Sequence, residues 1–518
     1  MRRIFCYALF FAILLPDLAI SQSEPVDTAM VAKIRDEGLN RSQIAMIAHQ
    51  ITDVAGPRLT NSPGYKRAAN WAVSQMKQWG LSNAALEAWG DFGKGWELQK
   101  SYIALKEPYY QPMIAYPKAW TGSTNGLITA PVVFLEKMDS ATITKHAAEI
   151  KGAIVLVSDG TKKIKSAFNA YASRYSDSQL VKMNDMYWFT RKMVDFYLPM
   201  IERQKKIKEF LVAQGPAALL LEEGGGRDGT IFVDGGPEYK KDVAPGKTSV
   251  VLSTEDFLRI QRLIEGGTKV QIEMEVKTNF DNGDLHGHNV VGEIPGTDPA
   301  LKSELVMLGA HLDSWHSGTG ATDNGAGSIV MLEVMRILKT LGIQPRRTIR
   351  ITLWDGEEQG LYGSYNYVKN HFADVTTMQT KPDYDKVSAY YNLDNGSGKI
   401  RGIFTQDNEQ VIPIFKAWLA PFADLGANTI ANKNTGSTDH QAFDEVGIPG
   451  FQFIQDPLEY ETRTHHSNMD TYDHLQIDDL KQAAVIIATF VYQTAMRDAK
   501  IPRKPKPNAG KWIFDGLD

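Results

Sequence analysis

The rhythm of apolar and polar positions changes twice along the chain. Residues 28–56 read as helical and end at the Gly56-Pro57-Arg58 turn. A second helix is predicted over about Gly64 to Trp79, where Ala68, Trp71, Ala72, Val73 and Met76 recur at helical spacing and Gly80 supplies a stop. From about Thr121 to His286 short β-rich runs take over: Pro131–Leu135, Ala153–Val157, Ala217–Leu221, Thr248–Leu252 and Val270–Val276. A charged helical stretch, about Lys182 to Gln214, interrupts them, and its charges read as a solvated face. After Asn289 the pattern becomes βαβ. Strand-like runs Asn289–Ile294, Leu305–Leu308, Thr348–Leu353, Val387–Asn392 and Gly450–Ile454 alternate with helical segments such as Gly325–Leu341 and Leu361–Asn370. That alternation predicts an α/β fold with a mixed, mostly parallel sheet sandwiched by helices.

At 518 residues the chain is too long for one compact core, so two domains or a large insertion are expected. The predicted division is 22–121 and 286–500 for the catalytic domain, 122–285 for a β-rich insertion and 501–518 for a Pro- and Lys-rich tail. A net charge of -5 gives no basic footprint for nucleic acid. Arg2 and Arg3, the apolar run Ile4 to Leu15 and the small residues Ala19 and Ser21 predict a signal peptide over residues 1–21. The run is shorter than the ~20 residues that span a bilayer. The mature protein is therefore expected to be secreted or periplasmic, with no stable membrane insertion. Cys6, the single cysteine, lies inside that segment, which excludes disulfides, cysteine nucleophiles and Cys-rich zinc sites from the mature chain.

In open α/β sheets ligands gather beyond the carboxyl ends of the strands, and here those ends carry metal-capable residues. Leu305–Leu308 runs into His311 and Asp313, Thr348–Leu353 into Asp355, Glu357 and Glu358, and Val387–Asn392 into Asp394. The strand near Ile454 leads to His465 and His466, and Asp323 lies between the first of these strands and its helix. Singly, each is an ordinary cap or turn residue. Converging on one rim, three carboxylates and two imidazoles would be costly to bury without cations. A mixed His/carboxylate set suits Zn2+, with cobalt or manganese as substitutes.

Taken in order, the motifs resemble the bridged di-zinc aminopeptidases and glutamate carboxypeptidases. The stretches that carry the resemblance are Gly309-Ala310-His311-Leu312-Asp313-Ser314, Thr322-Asp323-Asn324-Gly325-Ala326, Trp354-Asp355-Gly356-Glu357-Glu358-Gln359-Gly360-Leu361, Asn392-Leu393-Asp394 and His466-Ser467-Asn468-Met469-Asp470-Thr471. Gly56-Pro57-Arg58-Leu59 and Asn289-Val290-Val291-Gly292-Glu293-Ile294-Pro295-Gly296 extend it over most of the mature chain. The resemblance implies two Zn2+ per chain bridged by Asp323, one ion completed by His311 and Asp394 and the other by Glu358 and His466. It further implies that Glu357 is the general base, that Asp313 orients His311, and that the Asp323–Asn324 peptide is cis. His465 falls where several relatives carry an oxyanion-binding tyrosine.

The same resemblance casts residues 122–285 as a protease-associated insertion that roofs the site. His316, His371, His440 and His474 read as structural or pocket-lining, and Asp439 as an N-cap or a cleft-edge residue. No Gly-x-Ser-x-Gly elbow is present in the sequence, which disfavours a serine hydrolase. The expected activity is metalloexopeptidase cleavage of short peptides, of the carboxypeptidase or dipeptidase kind, with aminopeptidase as the alternative. A receptor-like relative without catalysis is disfavoured because the whole ligand set and the base are present. Homodimerisation is left open.

Overall fold

The computed structural model describes residues 24–516 apart from 159, 161–163, 165–167 and 186–189. The predicted signal peptide lies outside the described residues. The strands, in chain order, are β1 (Ser82–Asp91), β2 (Gly95–Glu107), β3 (Gln111–Pro112), β4 (Ala115–Pro117), β5 (Ile128–Leu135), β6 (Ile154–Val157), β7 (Ala218–Leu221) and β8 (Ser249–Leu252). There follow β9 (Gln271–Asp281), β10 (His286–Ile294), β11 (Leu305–His311), β12 (Thr348–Trp354), β13 (Val387–Asn392), β14 (Ile400–Phe404), β15 (Thr429–Ala431) and β16 (Gly450–Gln455).

They form two eight-stranded sheets. The first has the order β1-β10-β12-β11-β13-β16-β14-β15. Its centre, β12, β11, β13 and β16, is parallel, while β1 and β10 run antiparallel along one side. β11 and β13 are buried at every position, as their continuous apolar runs require of strands covered on both faces. Helices Ala326–Thr340 and Ile477–Met496 pack on one face in the main apolar cluster, with Ile329, Leu332, Ile486 and Phe490 fully buried. Trp354, Tyr367, Phe372 and Phe443 fill the opposite face.

The second sheet has the order β3-β2-β9-β5-β6-β7-β8-β4. Its first strands precede the predicted boundary: β2 pairs with β9 along its length, Gly95 opposite Asp281 through Glu107 opposite Gln271. Residues 95–121, placed by sequence in the first part of the catalytic domain, contribute strands to the second sheet. Long-range pairings invisible in local pattern do this: β2 pairs with β9, β3 with β2, and β4 with β8 at the other edge. An aromatic cluster that includes Trp89, Phe92, Trp96, Trp120, Tyr239 and Trp315 joins the two sheets. Phe92 and Tyr239 stack there at 4.5 Å.

The charged helix is Arg191–Ala213, which buries Val194 and Leu211 and otherwise lies largely exposed. In the tail, Ile501, Trp512 and Ile513 are buried, while residues 502–511 are half-buried or exposed. None of the described helices is long and apolar enough to cross a membrane.

Candidate metal centre

The carboxyl ends of the central parallel strands converge on one rim. β11 ends in His311, which is buried, with Nε2 3.4 Å from Asp323 Oδ1, 3.4 Å from Asp394 Oδ1 and 3.8 Å from Glu357 Oε2. His466 Nε2 lies 2.9 Å from Glu358 Oε2 and 3.3 Å from Asp323 Oδ2. Donor atoms of His311, Glu357 and Asp394 cluster closely enough to share one cation, and those of Asp323, His465 and His466 another. His465 is the more distant imidazole, 3.7 Å from Asp323 Oδ2, and packs against the Tyr460 and His466 rings.

The loops that carry Asp323 and the Glu357–Glu358 pair are held by chain-distant partners. Asp470 accepts the amides of Thr322 (2.6 Å) and Asp323 (3.0 Å), fixing the loop on which Asp323 sits. Tyr460 donates its hydroxyl to Asp323 Oδ1 at 2.9 Å. The Asp323–Asn324 peptide is cis. The Asp313 carboxylate accepts the amides of Glu357 (3.3 Å) and Glu358 (3.2 Å) and the Thr60 hydroxyl (2.9 Å). His311 Nδ1 meets the Asp313 carbonyl at 3.0 Å and its carboxylate only at 3.6 Å. The Asp313 side chain therefore chiefly holds the Glu357–Glu358 turn, and its backbone orients the imidazole.

Beneath the rim, fully buried Arg58 donates to the carbonyls of Leu312 (2.6 Å), Gly320 (2.7 Å), Thr319 (2.5 Å) and Ile51 (3.1 Å). Burial lowers its pKa to about 10, so it stays charged at neutral pH. On the opposite side the connection between β7 and β8 reaches in. The Val233 amide donates to the His466 carbonyl at 2.9 Å, and Ile231 exchanges bonds with Asn468. That pairing fixes His466 in a left-handed conformation, φ 56°.

The electrostatics call for cations. Burial, reinforced by neighbouring carboxylates, pushes Glu357 and Glu358 well above the usual carboxylate range. Burial opposes protonation of His311, but the Asp394 and Glu357 carboxylates outweigh it and hold its pKa well up. Burial and the Asp323 charge raise Asp470 to about 7. Asp323 Oδ2, Glu358 Oε1 and Asp394 Oδ1 are buried and accept no hydrogen bond among the described residues. Orphaned oxygens from three carboxylates facing imidazole nitrogens fit divalent metal ligation, since each would otherwise carry an uncompensated desolvation cost.

Of the other histidines, His316 Nε2 donates to the Pro117 carbonyl at 2.7 Å and His440 Nε2 to the Thr435 carbonyl at 2.9 Å. His371 and His474 pair with Glu87 and Glu459, both at 2.6 Å. Asp439 occupies the N-cap position of helix His440–Asp444 but makes no capping bond with its side chain. Sequence reasoning did not reach Thr60, Tyr460 or the double clasp of Asp470. The Gly56-Pro57-Arg58-Leu59 motif was the signal for the first of these.

A cavity of about 600 Å³ opens over these residues, walled in part by Trp120, Tyr239, Trp315 and Phe514. Fold and site together define a hydrolytic metallopeptidase. Residues 289–491, which carry the predicted ligands and the base, match the model of Peptidase family M28. The chain is similar to carboxypeptidase Q of Mus musculus, 25% identical over 454 residues, 88% of this chain and 86% of that protein. Its fold is that of the peptidase M28 precursor of Shewanella amazonensis (TM-score 0.67, 21% identity, 92% of this chain and 99% of that one). The zinc aminopeptidase BSAP of Bacillus subtilis shares it too (TM-score 0.56, 21% identity, 88% and 96%).

Proposed function

We propose that this protein is an exported di-zinc exopeptidase that hydrolyses short peptides, of the carboxypeptidase or dipeptidase kind represented by carboxypeptidase Q. The observation that carries the reading is the set of buried carboxylates with orphaned oxygens facing His311 and His466. In this reading His311 and Asp394 would hold one ion, Glu358 and His466 the other, and Asp323 would serve both. When bound, such ions neutralise the carboxylates and polarise a scissile carbonyl.

The chain's own residues do the rest. Glu357, its amide fixed by Asp313, takes a proton from the attacking water and passes it to the departing amine. Thr60, Asp313 and Asp470 hold the ligand loops in place, so little reorganisation is needed during reaction. The second sheet, together with the loops around Ile231 and Val233, serves as a protease-associated insertion running from about Gly95 to Asp281. It roofs the cavity and excludes long chains. Residues 1–21 direct export.

One observation favours aminopeptidase as a second reading. The Glu461 carboxylate, mostly exposed and 3.9 Å from His465 Nδ1, stands on the cavity wall where it can grip a free ammonium. The test is to incubate the zinc-loaded protein with a dipeptide, its N-acetyl form and its C-amide form. Loss of cleavage with the amide alone supports carboxypeptidase, loss with the acetyl form alone supports aminopeptidase, and loss with both a dipeptidase. Cleavage of none of them, or efficient cleavage of casein, overturns the exopeptidase reading.

A further inference from the structure

The segment following Gly510 is built into the wall of the catalytic cavity. Its chain is anchored where the Gly510 amide donates to the Val375 carbonyl at 3.0 Å. Trp512 is buried and stacks on Tyr365 at 4.5 Å. From the charged helix, Arg191 Nη1 donates to the carbonyls of Trp512 (2.8 Å), Ile513 (3.3 Å) and Asp515 (2.7 Å). Val194 and Leu198 of the same helix join the apolar cluster around Trp512 and Ile513. One guanidinium gripping these three carbonyls acts as a clamp on an otherwise irregular strap.

What the clamp positions is Phe514. Its side chain lines the cavity of about 600 Å³ over the metal ligands and also an adjoining pocket of about 390 Å³. Only Tyr239, Gln359 and Gly360 share that double position among the described residues. Gly360, at φ 126°, stands in the turn facing the strap; a Cβ placed there would lie 3.7 Å from that of Phe514. A left-handed glycine brings the turn after Glu358 against the strap without strain.

From this placement we infer that Phe514, held by Arg191, is a specificity-determining partition that limits the length of peptide the catalytic cavity accepts. The inference rests on the peptidase reading. With the ring in place a substrate ends at the partition. With it removed the two spaces join, and residues beyond the first two or three gain a place to lie. Helix Arg191–Ala213 thereby acquires a role in selectivity, since it carries the clamp from the second sheet's unit to the cavity wall.

The test compares kcat/KM for Leu-Gly, Leu-Gly-Gly and Leu-Gly-Gly-Gly-Gly in the wild type, Phe514→Ala, Phe514→Trp and Arg191→Ala, all zinc-loaded. Phe514→Ala is expected to raise the pentapeptide-to-dipeptide ratio about ten-fold or more. Arg191→Ala, which releases the strap without altering the ring, should move the ratio the same way, and Phe514→Trp should keep the wild-type ratio. An unchanged ratio in both Phe514→Ala and Arg191→Ala overturns the inference; if Phe514→Ala does not fold, Arg191→Ala decides. Affinities of the same peptides, measured calorimetrically in a Glu357→Ala background, separate the two claims. A wild type that cleaves nothing refutes the peptidase reading, whereas equal length preference of binding with and without Phe514, or no binding at any length, refutes the partition.

Discussion

Glu357 and Glu358 are neighbours in sequence with different surroundings. Glu357 faces His311 and the cavity, while Glu358 points at His466. Glu357→Ala should therefore keep both metals and the fold while lowering turnover by about 10²–10⁴-fold or more; retention of near wild-type kcat would remove it as the base. Asp323→Ala should empty both positions, and Glu358→Ala mainly one, as read by elemental analysis of the purified variants. His316 offers a test away from the ligands. Burial holds its pKa near 4, below the ~6.5 of an unfolded histidine. The neutral ring therefore contributes stability that is complete above pH ~6.5 and is lost as pH falls toward 4, by roughly 3 kcal/mol. Urea midpoints measured across that window should fall less steeply for His316→Gln than for the wild type.

Secondary-structure elements were legible where burial on both faces favours a largely apolar run, most clearly in β11. They were not legible where pairing decides. β1 contains Ala84, Ala85, Leu86, Glu87 and Ala88, good helix formers, and becomes a strand because it runs antiparallel against β10. β14 carries Gly402 at its centre because Thr429 approaches closely; a Cβ there would meet the Thr429 carbonyl oxygen at 1.8 Å. Such contacts leave no periodic trace. Gly64 makes the same point at a helix start. A Cβ at that position would lie 1.8 Å from the Pro57 carbonyl oxygen, so Gly64→Ala must displace the Gly56-Pro57 turn that presents Arg58. A loss of about 1–3 kcal/mol is expected, measurable by chemical denaturation, together with weaker zinc retention.

For the whole molecule, the ligand candidates could be read from strand-end motifs because chemistry restricts which residue types can serve. Their supports could not, because Thr60, Tyr460 and Asp470 act through contacts more than a hundred residues apart in the chain. The β2–β9 pairing, which links residues 95 and 281, is hidden from local pattern for the same reason. Chelation should abolish hydrolysis and lower the melting midpoint together, since ions that bind only the native state stabilise it by mass action. Restoration of both by zinc would tie the two effects to one site, and a chelated protein with unchanged activity would refute metal dependence.

Arg58 lies far outside the stretch 289–491 that carries the family signature, yet its guanidinium satisfies the carbonyls of Leu312, Thr319 and Gly320 within that stretch. Excised as a minimal fragment, residues 289–491 would leave those buried acceptors facing nothing and expose the flank of β10 that β1 covers. Anyone trimming the gene to its recognisable core should therefore recover insoluble polypeptide, and co-expression of the detached amino-terminal piece, with Ile51 through Asp91, is the rational route to rescue it.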